Sequence, residues 1–298
     1  MKYIRFVPPG ESVKIGILLE NCRILPLQSV IPGLKSEDMI DVIRYAETAG
    51  GMEELSCLDY ESKTSEMYDL DSVKVLAPIE RPVHDIICVG VNYEDHLKET
   101  KEHLGTNEFQ TPLKAVYFSK RAIRITGPGE EIISRPDLDE GLDYEVELAV
   151  IIGKTGKNIP AEKAEDYIFG YSVFNDISFR NLQTLHGQWF YGKSLDTCAA
   201  MGPVIAGKEE FPFPVELAVK SVVNGELRQH SNTRNFIHDI PSLISELSEG
   251  FTLECGDIIA TGTPSGVGMG FAPPRFMKKG DTVTCEIEGI GKLTNSIS

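Results

Sequence analysis

A strand pattern with two carboxylates at its start lies in the middle of the chain, in the run D-Y-E-V-E-L-A-V-I-I at residues 143–152. Apolar or aromatic side chains occupy every second position from Tyr144 to Ile152, and this alternation predicts a β-strand. Side chains two residues apart on a strand share a face, so Glu145 and Glu147 are expected to point the same way. Two like charges that close repel each other unless a positive charge lies between them.

A third carboxylate, Asp176, ends a second strand-like run, I-F-G-Y-S-V-F-N-D. An E-x-E pair alone is more often a solvated strand face, but an acid at the end of another apolar strand favours a metal site. Three carboxylates without a nearby cysteine or histidine pair make a hard oxygen site, which suits magnesium, manganese or calcium and not zinc. Glu145, Glu147 and Asp176 are therefore the predicted metal ligands.

Composition indicates a soluble globular protein with one large domain or two unequal ones. The chain has 298 residues, of which 41% are hydrophobic and 25% charged, so the apolar content suffices for an ordinary core. The formal net charge of -16 argues against partners such as nucleic acid or an anionic membrane surface. Six scattered cysteines without a C-x-x-C motif predict free thiols and a cytoplasmic location. The sequence shows neither a signal peptide nor a membrane-spanning run.

The chain is predicted to divide into three parts. Residues 1–75 are expected to form a small β/α region, with a hairpin around Glu20 and Asn21 and a helix capped by Ser36. Residues 76–82 contain two prolines and are predicted to be a linker. Residues 83–298 are expected to form a β-rich catalytic domain of the α+β class. Within it, a hairpin turning at Asn224-Gly225 and a helix opened by Asp239 are predicted.

A polar helix is predicted directly after the short strand D-I-I-C-V-G, from Asn92 to Gly105. It has few apolar residues, so it is expected to be shallowly buried and suited to act as a mobile cover over a site. His96 and Glu99 are three residues apart and share a face of this helix. A carboxylate beside an imidazole raises its basicity and makes it a candidate general base, although the same spacing also fits a surface ion pair.

Further polar residues follow the predicted metal ligands. Lys193 lies in the aromatic run F-Y-G-K-S-L-D, where it either binds a carboxylate or polarises a carbonyl, or simply extends over an aromatic surface. Arg180 and Gln183 follow Asp176 closely enough to line the same pocket. The loop T-G-T-P-S-G-V-G-M-G lacks the lysine of a phosphate-binding loop, and it is interpreted as a turn whose backbone amides and Thr263 approach a bound carboxylate.

Taken together, these segments resemble the fumarylacetoacetate hydrolase (FAH) superfamily over roughly residues 82–298. The motifs occur in the family's order: G-V-N-Y-E-D-H-L-K-E, Y-F-S-K, D-Y-E-V-E-L-A-V-I-I-G, G-Y-S-V-F-N-D-I-S-F-R-N-L-Q, G-K-S-L-D, V-N-G-E-L-R-Q and G-D-I-I-A-T-G-T-P-S-G-V-G. The resemblance implies a mixed β-sandwich roll, usually a homodimer, with Mg²⁺ or Mn²⁺ bound by the three acids. It implies a catalytic dyad and a set of groups around a small 2-oxo acid: His96, Glu99, Lys193, Arg180, Gln183 and Thr263. One departure is Asn181, where many members carry aspartate.

The implied activity is a metal-dependent hydrolysis of a C–C bond in an acylpyruvate-type 2,4-dioxo acid. This is the first hypothesis because the dyad that would activate water, His96 and Glu99, is present. Oxaloacetate decarboxylase and an isomerase of the 2-hydroxyhepta-2,4-diene-1,7-dioate type are the alternatives, since all of these reactions pass through a stabilised enolate. A non-catalytic member is a third possibility, but it would be expected to have lost ligands or dyad, and neither is lost.

Overall fold

The computed structural model describes residues 1–31, 33–34, 36–48, 50–56, 66–104 and 114–298. Its helices are α1 (Leu27–Val30), α2 (Met39–Glu47), α3 (Gly51–Ser56), α4 (Glu94–Leu104), α5 (Arg180–Leu185), α6 (Phe190–Lys193) and α7 (Ile240–Gly250). Its strands are β1 (Lys2–Val7), β2 (Lys14–Leu18), β3 (Arg23–Pro26), β4 (Tyr68–Asp69), β5 (Lys74–Val75), β6 (Ile86–Gly90), β7 (Val116–Lys120), β8 (Glu131–Ile132), β9 (Leu142–Asp143), β10 (Val146–Ile152), β11 (Ile168–Asp176), β12 (Ser178–Phe179), β13 (Ala199–Gly207), β14 (Ala218–Val223), β15 (Glu226–Asn232), β16 (Ile258–Ala260), β17 (Thr282–Ile287) and β18 (Gly291–Ile297).

Two large sheets carry most of the described chain. The larger sheet has the order β4-β3-β2-β1-β13-β11-β10-β16-β6-β7, with β5 paired to β1, and the smaller has the order β15-β14-β17-β18-β8. Most pairs are antiparallel, but β16 with β6 and β18 with β8 are parallel, so both sheets are mixed. This arrangement confirms the predicted β-rich, mixed sandwich-type fold of the FAH superfamily.

The strand β10 lies in the middle of the larger sheet and is buried on both faces. Its residues Val146, Leu148 and Val150 belong to the core that the larger sheet shares with the smaller one. Ala149 and Ile151 point the other way, into a second core that also contains the apolar face of α2. The alternation seen in the sequence therefore separates two apolar cores rather than a core from solvent.

Local predictions outside the site agree with the structure in most places. The hairpin around Glu20 and Asn21 forms between β2 and β3, and Asn224 and Gly225 both have positive φ in the turn between β14 and β15. The Asp239 side chain accepts a hydrogen bond from the Ser242 N–H and caps α7. The N-cap of α2 is Asp38 and not Ser36, because the Asp38 carboxylate accepts the Ile40 N–H.

The N-terminal strands are continuous with the rest of the larger sheet. Lys2 and Tyr3 of β1 pair with Ala206 and Ile205 of β13, so β1, β2 and β3 extend the sheet that contains β10 and β11. The division into residues 1–75, 76–82 and 83–298 stays a prediction.

Within the described ranges, none of the helices is long and apolar enough to cross a membrane. The described cysteines are free thiols, and Cys57 lies outside the described residues.

We expect Leu148→Ala to lower the free energy of unfolding by about 2–5 kcal/mol, because it leaves a cavity in the core between the two sheets. Leu148 is fully buried, whereas Leu227 on β15 is 54% exposed. The matched control Leu227→Ala should therefore stay within about 0.5 kcal/mol of the wild type. Denaturant unfolding of both variants measures the difference, and equal losses would contradict the assignment of Leu148 to the core.

Candidate active site

The pairing of β10 with β11 brings the three predicted metal ligands together. Val146 lies opposite Asn175, so Glu145 and Asp176 are neighbours at the same end of the two strands. The Asp176 N–H donates to the Glu145 carbonyl oxygen at 2.9 Å. Glu147 follows on the same face as Glu145, and one carboxylate oxygen from each of the three residues lies within 4.8 Å of the others. All three side chains are buried.

Two buried lysines hold these carboxylates. The Lys193 Nζ lies 2.6 Å from Glu145 Oε2 and 2.7 Å from Asp176 Oδ2. The Lys120 Nζ donates to Asp176 Oδ1 at 2.6 Å and to the Ile177 carbonyl oxygen at 2.8 Å. Lys193 is therefore a buried ion-pair partner of the ligands, and the alternative of a lysine lying over a solvent-facing aromatic surface is excluded.

Arg180 supplies the third cation, and one of its guanidinium nitrogens has no hydrogen-bond partner among the described residues. Its Nη1 lies 2.5 Å from Glu145 Oε1, and its Nε donates to Asp143 Oδ2 at 2.8 Å. Its Nη1 also donates to the Gln183 side-chain oxygen at 3.1 Å. The Nη2 atom is buried and has no hydrogen-bond partner within the described part of the chain. A buried guanidinium N–H without a partner is costly, so this atom is suited to bind an anionic oxygen of a ligand.

Burial and the neighbouring charges shift the pKa values of Glu145 and Glu147 in opposite directions. Burial alone would raise the pKa of Glu145, but Lys193 and Arg180 more than offset it and hold this pKa well below its ordinary value. Burial raises the pKa of Glu147 well above its ordinary value, and the charges of Asp176 and Glu145 raise it further. Glu147 accepts the Gly262 N–H at 2.8 Å and forms no ion pair with a described residue. The cluster therefore lacks positive charge beside Glu147.

The chemistry of the donor set fits a divalent cation. Three carboxylates with one oxygen each within 4.8 Å of the others form the kind of hard oxygen site that Mg²⁺ and Mn²⁺ bind. Such an ion would supply the positive charge that Glu147 lacks. Glu145, Glu147 and Asp176 are the residues that could hold it.

The predicted dyad forms on α4 and is attached to the glycine-rich loop. The His96 Nδ1 lies 2.9 Å from Glu99 Oε2, and Glu99 Oε1 accepts the Gly266 N–H at 2.9 Å. A second contact joins the same two elements, because Ser265 Oγ donates to Asp95 Oδ2 at 2.9 Å. With Nδ1 occupied by Glu99, Nε2 is the nitrogen of His96 that remains for a ligand.

The helix α4 is more buried than its composition indicates. His96, Leu97 and Thr100 are each less than 8% exposed and form a buried face, although two of the three are polar. The expectation of shallow burial was wrong for this face, because the neighbouring Asp95 and Glu99 bind the glycine-rich loop and hold the helix against it. The predicted end of the helix at Gly105 lies outside the described residues.

One pocket collects nearly all of the predicted site residues. The predicted residues that line it are His96, Glu145, Glu147, Arg180, Gln183, Lys193 and Thr263. Asp176 lies directly behind Lys193 in the charge cluster, and Glu99 lies behind His96. The remaining wall consists mainly of apolar groups: Val89, Val91, Phe118, Trp189 and Met269. The Thr263 hydroxyl donates to the Val146 carbonyl oxygen and accepts from Gln229 Nε2, so this side chain is largely used within the protein.

Sequence reasoning missed three buried residues of this site: Lys120, Asp143 and Gln229. Asp143 accepts the N–H groups of Gly268 and Met269 in addition to the Arg180 bond, so it joins the arginine to the glycine-rich loop. Lys120 ends an apolar strand and the motif Y-F-S-K, and these were the two signals in the sequence that could have found it. The departure at Asn181 also has a structural setting, because its Nδ2 donates to Asp139 Oδ1 at 2.5 Å, a bond that an ionised aspartate could not make.

We expect Glu145→Gln and Glu147→Gln to weaken Mg²⁺ and Mn²⁺ binding by at least about tenfold each, because each change removes one anionic ligand. Glu131→Gln, an exposed acid on β8, is the matched control and should bind like the wild type. Calorimetric titration measures the affinity, and circular dichroism checks the fold. Undiminished binding in both site variants would contradict the assignment of these ligands.

Comparisons with known proteins agree with this geometry. The family profile described as fumarylacetoacetate (FAA) hydrolase C-terminal matches residues 85–298. Oxaloacetate tautomerase YisK of Bacillus subtilis (strain 168) is 42% identical over 292 residues, which cover 95% of each chain. The solved structure of a fumarylacetoacetate hydrolase (EaFAH) from psychrophilic Exiguobacterium antarcticum is 37% identical with a TM-score of 0.83, covering 100% of this chain and 99% of that one.

A third relative was solved with ligands. The structure of maleylpyruvate hydrolase from Sphingobium sp. SYK-6, in complex with manganese(II) ion and pyruvate, is 28% identical with a TM-score of 0.74 and covers 100% of this chain and 98% of that one. The profile match spans well over half of the chain, and the first relative spans nearly all of it. The chain belongs to the fumarylacetoacetate hydrolase superfamily, a family of enzymes.

Proposed function

We propose that this protein catalyses the enol–keto tautomerisation of oxaloacetate, or of a closely similar short 2-oxo dicarboxylate, with Mg²⁺ or Mn²⁺ as cofactor. The observation that carries the proposal is a single pocket that combines three converging carboxylates with the His96–Glu99 dyad and an open donor on Arg180. The relative named oxaloacetate tautomerase, which matches nearly the whole chain, supports tautomerisation over the other reactions of the family.

The reaction moves one proton and breaks no carbon–carbon bond. The enol loses the proton of its C2 hydroxyl group and gains a proton at C3, so the keto product has the same composition. The step needs a group that transfers protons and a site that stabilises negative charge on the C2 oxygen. A divalent ion held by Glu145, Glu147 and Asp176 would supply Lewis-acid stabilisation of that charge.

His96 is the proposed proton carrier. Glu99 accepts the Nδ1–H and fixes the ring, so Nε2 faces the pocket and exchanges the proton at C3. The Gly266 N–H holds Glu99 in turn, which keeps the dyad in place while α4 covers the site. Closure of this helix would also keep bulk water away from the enolate.

Cations and amides are proposed to bind the substrate carboxylates. The buried Nη2 of Arg180 lacks a partner, and Gln183 uses its oxygen on Arg180, which leaves its amide nitrogen to donate. Both side chains line the pocket. Lys193 lies between two of the metal ligands, where its positive charge stabilises an enolate oxygen.

Hydrolysis of an acylpyruvate is the second candidate. It passes through the enolate of pyruvate: His96 would deprotonate the water that attacks the acyl carbon, the C–C bond would break, and C3 of the released enolate would then take up a proton. The His96–Glu99 contact favours it, and so does the likeness to a maleylpyruvate hydrolase. Loss of carbon dioxide from oxaloacetate would leave the same enolate of pyruvate and needs no attacking water.

We expect His96→Asn to lower kcat for oxaloacetate tautomerisation by about 10²–10⁴-fold, because it removes the general acid–base group. His230→Asn, an exposed histidine on β15, is the matched control. Decay of enol absorbance measures the rate, and NMR of the products separates keto oxaloacetate from pyruvate and from a cleaved acid. Full activity of His96→Asn would remove the dyad from the mechanism. A wild type that cleaves acylpyruvates but leaves the enol of oxaloacetate untouched would overturn the tautomerase proposal in favour of the hydrolase.

We also propose that the protein is a cytoplasmic homodimer, as the family resemblance implies. A closed twofold assembly is the commonest form of a soluble oligomer. Light scattering at micromolar concentration should therefore give twice the chain mass of 32.9 kDa. A mass equal to that of one chain would contradict the dimer.

A further inference from the structure

We infer that Trp189 sets the length of the substrate, by closing the apolar side of the pocket to 2-oxo acids longer than about four or five carbon atoms. The inference rests on the proposed function for the identity of the short substrate. The side chains of Phe118 and Trp189 form an aromatic wall of the pocket, and the backbone of Gly90 lies behind it.

The indole ring lies directly on the backbone at the end of β6. A Cβ atom added to Gly90 would lie 2.5 Å from Cζ3 and 2.9 Å from Cη2 of Trp189. Gly90 does not have a positive φ, so its backbone conformation would allow alanine. It is therefore the indole, and not the backbone, that requires glycine at this position.

The other edge of the indole is held by Phe118. The two ring centroids are 5.1 Å apart with an interplanar angle of 71°, a favourable edge-to-face arrangement. The Lys193 Nζ lies 5.2 Å from the centre of the Phe118 ring. The aromatic wall thus extends from Lys193, beside the predicted metal ligands, to Gly90. Because contacts hold the indole on both sides, it cannot move aside cheaply for a longer ligand.

The polar groups of the pocket leave one direction for a longer substrate. The carboxylate and oxo groups of a 2-oxo acid are expected to bind the cations Lys193 and Arg180 and a divalent ion held by the three acids. Among the described residues, the rest of the lining is largely apolar and includes the aromatic wall. The distal carbons of a longer chain are therefore expected to lie against this apolar lining, in which the indole of Trp189 is the largest side chain. One methylene too many in such a pocket typically costs about 10–200-fold.

A purely structural role for Trp189 makes a different prediction. Trp189 is the N-cap residue of the short helix α6, and its carbonyl oxygen accepts the backbone N–H of Lys193 at 3.1 Å. If it served only to support Lys193, its loss would weaken all ligands by the same factor. A wall that limits length acts on long ligands alone.

The test measures binding across a series of unbranched 2-oxo acids, with Mg²⁺ present: pyruvate, 2-oxobutyrate, 2-oxohexanoate and 2-oxooctanoate. For the wild type we expect the affinity to fall at least about tenfold from 2-oxobutyrate to 2-oxohexanoate. Trp189→Ala should abolish this fall and leave pyruvate affinity within about threefold of the wild type. Phe190→Ala, which removes the neighbouring 43% exposed ring, is the matched control and should keep the wild-type profile. Trp189→Leu, with the same expectation, serves if the alanine variant is unstable.

A double-mutant cycle tests the contact itself. In the wild-type background, Gly90→Ala should weaken binding of the 2-oxo acids, because the new methyl group displaces the indole. In the Trp189→Ala background, the same change should have little effect on their binding. Equal loss at every chain length in Trp189→Ala, no length dependence in the wild type, or the same effect of Gly90→Ala in both backgrounds would each overturn the inference. Because the readout is binding, the length limit and the tautomerase activity fail separately.

Discussion

The structure depends on a cluster of buried charges that no single element could support alone. The cluster contains four acids and three cations: Asp143, Glu145, Glu147, Asp176, Lys120, Arg180 and Lys193. Charges at such depth are tolerated only when they are paired and hydrogen-bonded. Every member of the cluster except Glu147 forms an ion pair with another member. Burial raises the pKa of Glu147 well above its ordinary value. A divalent cation held by the three acids would supply the positive charge that Glu147 lacks.

The cluster is built from rigid strands, and the dyad comes from an element held by polar contacts. Glu147 and Asp176 are paired into the centre of the larger sheet, where apolar cores cover both faces. His96 and Glu99 lie on α4, which is attached through hydrogen bonds that water can replace at low cost. This division suits an enzyme that must hold a metal firmly and still admit substrate.

The glycine-rich loop connects these two parts through its backbone. The N–H of Gly262 binds Glu147, that of Gly266 binds Glu99, and that of Gly268 binds Asp143. One short segment therefore contacts a predicted metal ligand, the dyad and the residue that binds Arg180. Its glycines are needed for this approach, since a Cβ at Gly268 would lie 2.5 Å from the Asp143 carboxylate. A small shift of the loop would therefore affect all three groups at once.

The sequence by itself determined the features that follow from spacing along one element. The period-two pattern placed Glu145 and Glu147 on one face, the three-residue spacing paired His96 with Glu99, and the ordered motifs indicated the family. Only the tertiary structure decided which distant residues complete the site. Lys120 reaches Asp176 across 56 positions, and Gly90 at the end of β6 meets Trp189, which directly precedes α6. The tertiary structure also pairs β1 with β13, so the N-terminal strands belong to the same sheet as the predicted metal ligands. Local spacing is set by backbone geometry, whereas these contacts depend on strand order and packing, which no local pattern encodes.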